Sequence, residues 1–293
     1  MVSCNPWRFF ALVGGLSLPF WGLGAVTTHL AARLPIQLPT SALMAVCPAA
    51  AALILVHREG GKTGIHTVLR RALAEWRLPN PWWYGPTILL MPAVALASVS
   101  LARVLGWPLP RGHTPLGALP IFVVLFGIGA AGEEIGWTGY ATEPMQERWG
   151  AFGASLILGV VWALWHVVPN LQAGRTLAWI GWQSLATVAL RVLLVWLFNV
   201  TGRRIWPTIL FHAMINVSVF FIPVYGSGYD PQVTAAILTG LAASITLVWG
   251  PTTRLGGAVM RRSHDPRRHG WFPATRGDAL GMHTASQRSQ VTR

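Results

Sequence analysis

The chain has 293 residues, 53% apolar and only 11% charged, with 22 Lys+Arg against 9 Asp+Glu and a formal net charge of +13. Soluble domains carry about 25% charged residues, so no ordinary water-facing surface can be built from this composition. The 16 Trp suit membrane–water interfaces, where indoles concentrate. Disordered, collagenous and disulfide-scaffold classes are excluded by the same numbers, and Cys4 and Cys47 give neither a disulfide framework nor metal-ligand spacing. The expected class is an all-α, polytopic integral membrane protein.

A transmembrane helix needs about 20 mostly apolar residues. Eight stretches qualify, at 9–31, 40–57, 83–105, 119–140, 151–170, 178–198, 205–222 and 232–250. The first carries no small-residue cleavage pattern around Thr27-Thr28-His29-Leu30, so it reads as a retained span rather than a signal peptide. Residues 58–80 form a basic, partly amphipathic segment suited to lie on a leaflet. Pro207 opens the seventh span and Pro231 precedes the eighth, both favourable helix-start positions. The sequence thus divides into a transmembrane domain, 1–250, and a basic tail, 251–293, whose few apolar residues predict disorder.

The basic residues orient this layout. With the N-terminus inside and eight crossings, inside segments hold Arg8, five in 58–80, Arg148, Arg203, Arg204 and eight in the tail, 17 in all. Outside segments hold three, Arg33, Arg111 and Arg175, while Arg103 and Arg191 fall within spans. That bias predicts a multi-pass protein of the cell membrane with both termini cytoplasmic. Basic charge scattered between apolar segments is not the folded basic face that nucleic acid requires, so nucleic acid is not an expected partner.

Chemistry concentrates in a few intramembrane polar residues. Glu133 and Glu134 are adjacent in the apolar run Ile121–Tyr140, and no other acidic residue lies in an expected span. A carboxylate at mid-membrane costs about 2.5–3.5 kcal/mol on insertion scales and ordinarily marks a functional cavity. His166 closes the run Val160-Val161-Trp162-Ala163-Leu164-Trp165-His166, and His212 and Asn216 stand four apart on the seventh span, on one helix face. Two chemistries could use the set. In one, a Glu is general base on a water, and His and Asn stabilise the oxyanion. In the other, two His and a Glu hold zinc, although two His four apart with a Glu after the first do not occur. His29, His57, His66, His113, His264, His269 and His283 fall near span ends, in loops or in the tail and read as solvated.

Glu133-Glu134-Ile-Gly-Trp-Thr-Gly-Tyr140, then Trp162-x-x-x-His166, then His212-x-x-x-Asn216 resemble the three ordered motifs of the CPBP family. That family comprises CAAX prenyl proteases of the Rce1 type and bacteriocin-processing or self-immunity (Abi) proteins. The match covers roughly residues 119–222, and the eight expected spans agree with the family's architecture. The resemblance implies that Glu133 is the general base, assisted by His166. It implies His212 and Asn216 as the oxyanion site, with Glu134 holding substrate or the local network. The family's first motif is EExxxR, and here Thr138 stands at the Arg position. Trp162 replaces a common Phe. Without the motif Arg, either one Glu is protonated or another cation, Arg103 or Arg191, compensates the pair.

The expected function is an intramembrane, glutamic-type endopeptidase acting on a peptide or protein substrate, membrane-associated substrates included. No cofactor and no metal are expected, and the lipid bilayer is the other partner. The alternatives are an inactive family member serving as an immunity or partner-binding protein, a zinc metalloprotease using the same residues, and a transporter with the Glu pair as ion site. One tension remains in depth. Glu133 and His212 lie about seven residues from the cytoplasmic side, roughly 10 Å, whereas His166 lies about 15 residues in, roughly 22 Å. Either a fifth span starting later than Ala151, with 141–154 lying along the interface, or strongly tilted helices would bring the three together, and the cost of Glu143, Glu147 and Arg148 in lipid favours the first.

Overall fold

The structure, a computed structural model, describes residues 5–31, 39–74, 76–222 and 224–250. The expected tail 251–293 and Cys4 lie outside them. The long helices are α1 (Pro6–Ala31), α2 (Cys47–Leu73), α3 (Tyr84–Val104), α4 (Ala118–Gly136), α5 (Glu143–Trp165), α7 (Leu177–Val200), α8 (Ile205–Phe221) and α9 (Pro231–Trp249), with a short α6 (Val167–Gln172) after α5. Two 3-10 segments, Thr40–Val46 and Pro81–Trp83, and a π-helical stretch, Trp137–Thr142, complete the order. No strand occurs among the described residues.

Local chemistry explains the boundaries. Asp230 caps α9, its carboxylate accepting from the backbone N–H of Gln232 and Val233, and Pro231 at the first helical position needs no partner for an N–H. The Thr176 hydroxyl accepts from the Trp179 N–H at the start of α7. Gly61 (φ 61) and Gly150 (φ 70) break α2 and α5 internally, at left-handed backbone that only glycine adopts without strain.

Each expected span falls on a helix, and the chain is an all-α, multi-pass membrane protein. Among the described residues, six units are long and apolar enough to cross a bilayer. The difference from the expected eight lies in two places. Ala118–Gln172 counts as one unit of 55 residues, although Gly150 divides it, and Ile205–Phe221 is apolar but has only 17 residues.

The bundle has two ends. At one, Glu143 meets Arg71 at 3.2 Å and Arg203 at 3.7 Å, Trp7 packs on Trp149, and Trp196 packs on Trp83 and Trp249. These contacts gather the start of α1, the second half of α2, the start of α3, residues 143–149, the 201–204 turn and the end of α9. At the other end the Tyr225 N–H donates to Thr114 Oγ1, the Tyr229 hydroxyl to Gln183, and Ser98 bonds Thr234. The helices therefore alternate in direction, and the basic loops all share the first end.

Helix α7 is the core element: 67% of its apolar window is buried, against 22% for α1. Between α4 and its neighbours the packing is closest at Gly132 and Gly136. A Cβ at Gly136 would sit 2.4 Å from the Pro48 carbonyl oxygen, and one at Gly132 2.6 Å from that of Ala45. This is the small-xxx-small device by which membrane helices bring backbones together. Gly136→Ala should therefore lower stability by about 1–3 kcal/mol through overpacking. Gly14→Ala, on α1 with nothing within 4 Å of its Cβ, should be neutral or stabilising by up to about 1 kcal/mol. Thermal unfolding of the two variants in detergent gives the opposite signs directly.

Candidate active site

Glu133 and Glu134 come at the end of α4, immediately before the π-helical stretch. There the Thr142 hydroxyl donates to the Trp137 carbonyl five residues back, the spacing a π-turn opens, and such turns recur at functional sites. Because Gly132 and Gly136 face the Thr40–Val46 segment and α2, Glu134, about 200° round the helix from Gly132, projects into the bundle.

Glu134 is fully buried, and its carboxylate is saturated. Arg191 on α7 donates bidentately, Nη1 to Oε2 at 2.9 Å and Nη2 to Oε1 at 3.1 Å. His212 Nδ1 on α8 lies 2.9 Å from Oε1, and the Thr138 hydroxyl bonds Oε2. Of the two cations expected as candidates, Arg191 is the compensating one, and Arg103 is exposed on α3. Thr138 thus stands where the family's Arg would be, contributing a neutral donor to a carboxylate that a different helix neutralises. Gly159 makes room for this. A Cβ there would lie 3.0 Å from Val188 Cα and 3.3 Å from Arg191 Cβ, so α5 and α7 touch at the guanidinium's root.

Glu133 has a different environment. Its Oε2 accepts from Trp162 Nε1 at 2.7 Å, and the side chain faces a cavity of about 1050 Å³, at the upper end for ligand sites. His166, His212 and Asn216 line the same cavity, and Glu134 does not. Four of the five expected site residues therefore converge on one space, and the fifth stands behind it. Trp162 was not expected as more than a motif position. Its N–H holds Glu133, its ring face lies 4.2 Å below the Arg191 guanidinium, a cation–π contact, and its edge meets His212 and His166. The only signal for it in the sequence is the Trp162-x-x-x-His166 spacing.

Two imidazoles have fixed tautomers. Bonded to a carboxylate flanked by Arg191, His212 must donate from Nδ1, leaving Nε2 toward the cavity. His166 Nδ1 lies 2.9 Å from the Trp162 carbonyl, which can only accept, so its Nε2 carries the lone pair. Among the described residues no group of three or more His, Cys, Asp or Glu side chains is arranged to hold a metal ion.

The expected depth mismatch is resolved otherwise than anticipated. Residues 141–154 do not form a separate interfacial segment: the chain stays helical from Ala118 to Trp149, turns at Gly150 and resumes at Ala151. Glu133 stands 17 positions before Gly150 and His166 16 after it, which equalises their depths. Glu143, costly in lipid, is paired with Arg71 and Arg203. His57, His66 and His113, read as solvated, are exposed.

Residues 115–218, which contain all five site residues, match the family model described as type II CAAX prenyl endopeptidase Rce1-like. This segment is similar to the Rce1-like family. The chain is also 30% identical over 144 residues, 44% of its length, to CAAX prenyl protease 2 of Methanococcus maripaludis. The match spans about half, 53%, of that relative. The Rce1-like segment runs from just before α4 to α8, so it includes Arg191 and Trp162 with the motif residues.

Breaking the buried pair should be costly, because Arg191→Met leaves Glu134 charged without its cation, a loss of about 3–5 kcal/mol. The double variant Arg191→Met/Glu134→Gln should recover part of it. Thr138→Arg should also destabilise, since a second guanidinium has no space at a position only 1% exposed. Unfolding midpoints of the three variants in detergent check the order.

Proposed function

We propose that the chain is an intramembrane endopeptidase in which Glu133 activates a water for attack on a peptide carbonyl. The observation that carries this reading is the split environment of the Glu pair. Glu134 is neutralised and sealed away from the cavity, whereas Glu133 faces it with only an indole N–H on one oxygen. A general base must present a free lone pair to its water, and Glu133 Oε1 does so.

The tautomers support the same assignment. Glu133 Oε1 and His166 Nε2 are both acceptors, so a water between them gives both its hydrogens to protein and turns a lone pair toward the substrate. Glu133 takes the proton as the C–O bond forms and passes it to the leaving amine as the C–N bond breaks. The developing oxyanion meets the Asn216 amide N–H, beside the His212 ring that is held in line because Nδ1 is anchored on Glu134. Preorganised donors in a low-dielectric site are worth far more than in solution. Arg191 and Thr138 fix Glu134, and Glu134 fixes His212.

Zinc fits this donor set less well. The facing Asn216 is a weak zinc ligand, zinc sites favour three or four convergent His, Cys or carboxylate donors, and among the described residues no such group is arranged to hold a metal ion. The substrate is a peptide or protein, and the CAAX prenyl class named in the relative is the first to try. The basic loops at one end of the bundle support a cell-membrane protein with cytoplasmic termini, its transmembrane unit spanning 1–250.

Purified protein in detergent, given a panel of quenched peptides, should show turnover that Glu133→Gln reduces by about 10²–10⁴-fold while the unfolding midpoint holds. Asn216→Ala should cost about 10²–10³ in kcat. Turnover should survive exhaustive chelation; stoichiometric zinc whose removal abolishes activity would replace this mechanism with a metalloprotease one.

A further inference from the structure

Among the described residues, those that line the chamber include none from α1, and α1 is the least buried of the six apolar units. It also lies outside residues 115–218, the segment matched by the family model. Three side-chain hydrogen bonds nevertheless tie it to the chamber wall. The Trp21 indole donates to Met44 Sδ at 2.9 Å, and Gln172 Nε2 on α6 donates to the Trp21 carbonyl at 2.8 Å. The third runs from Trp165 Nε1 on α5 to Ser17 Oγ, also at 2.8 Å.

That third bond has a fixed polarity. Between Arg8 and Thr27, Ser17 and Trp21 are the only residues of α1 with a polar side-chain atom, and Ser17 is fully buried. Its hydroxyl donates to the Val13 carbonyl at 2.7 Å, the usual way a helical serine satisfies its proton. A carbonyl can only accept and an indole N–H can only donate. The serine lone pair is therefore committed to Trp165, and the relay from Trp165 through Ser17 to Val13 has no alternative arrangement.

Trp165 in turn bears on His166. The two rings meet edge to face at 4.9 Å and 85°, a favoured aromatic geometry, while Trp137 braces the indole from another side at 5.8 Å. His166 stands where α5 ends, and its Nδ1 donates to the Trp162 carbonyl. One hydrogen bond leaves an imidazole free to rock about it. Two indoles remove that freedom, Trp162 at 5.6 Å and Trp165. Trp162 is fixed by Glu133 and Arg191, and Trp165 takes its polar anchor from α1. Without Ser17 the buried indole N–H has to turn to find an acceptor, because leaving it unpaired is costly, and its face against His166 turns with it.

We propose that Ser17 is a positioning residue: by anchoring the Trp165 indole it holds the His166 imidazole in the orientation that turns Nε2 to the attacking water. This rests on the peptidase reading for the role of Nε2, whereas the hold on the ring is a separate claim.

Two readouts on full-length protein in detergent test it. One is hydrolysis of the quenched peptides; the other is the His166 ring resonances of protein carrying isotope-labelled histidine, assigned with His166→Gln. Ser17→Ala should lower kcat by about 10–100-fold with KM within about twofold, the pattern of an interaction made in the transition state. It should also move the His166 resonances. Ser17→Thr, which keeps the hydroxyl, should retain most of the turnover. Val13→Ala loosens α1 at a buried position one turn away and leaves the hydrogen bond intact, so at a matched unfolding midpoint it should do neither. In a Trp165→Phe background, with no indole N–H to anchor, Ser17→Ala should change neither readout further. If Ser17→Ala fails to accumulate, the nearly isosteric Ser17→Cys, a weaker acceptor, should show both effects in smaller degree. Losses no larger than those of Val13→Ala, or losses that add in full to those of Trp165→Phe, overturn the proposal. Resonances that follow the hydroxyl without hydrolysis by any variant would sink the peptidase reading and leave the positioning role. Hydrolysis with unmoved resonances would do the opposite.

Discussion

A single buried carboxylate organises the centre of the bundle. Glu134 receives both terminal nitrogens of Arg191, the Nδ1 of His212 and the hydroxyl of Thr138, so one residue of α4 is tied to α7 and α8. Such a pair adds little net stability, because desolvating two charges consumes most of the Coulombic gain. Its value is in register. Three helices whose surfaces are almost uniformly apolar could slide or rotate against one another at small cost, and a carboxylate satisfied in only one arrangement removes that freedom. Bidentate geometry sharpens the effect, since the guanidinium fork fits only one orientation.

Close packing is what permits the charges to meet. Gly132 and Gly136 press α4 against the Thr40–Val46 segment and Pro48, and Gly159 seats α5 on α7 beside Arg191. Together these contacts bring Trp162 between the carboxylates and the imidazoles. Its indole then does three things at once, donating to Glu133, lying under Arg191 and bordering both histidines. The asymmetry between two neighbouring glutamates follows. One oxygen pair is enclosed by cation and imidazole, and the other is left with a single N–H and an open cavity. Adjacent residues on a helix point about 100° apart, and that angle is enough to put one in the wall and one in the chamber.

The sequence by itself determined the class, the helical segments and the short set of polar residues that matter. Composition excluded a soluble surface, apolar runs located each helix, and Glu133, Glu134, His166, His212 and Asn216 stood out because little else inside the spans is polar. Those are local signals, readable one window at a time. The tertiary structure decided everything that depends on which face of a helix meets which neighbour. In a bilayer both lipid and core are apolar, so the hydrophobic contrast that marks the inner face of a soluble helix is weak. Nothing in the run around Glu133 therefore said which carboxylate would face the cavity. Choosing Arg191 over Arg103 as the cation, and finding Trp162 on Glu133, needed contacts between residues 57 and 29 positions apart. The helix that runs on to Trp149 before turning at Gly150 was hidden for a related reason. Glu143, Glu147 and Arg148 read by polarity as part of a segment lying along the interface, and the pairing of Glu143 with Arg71 and Arg203 across the bundle lets them continue a helix.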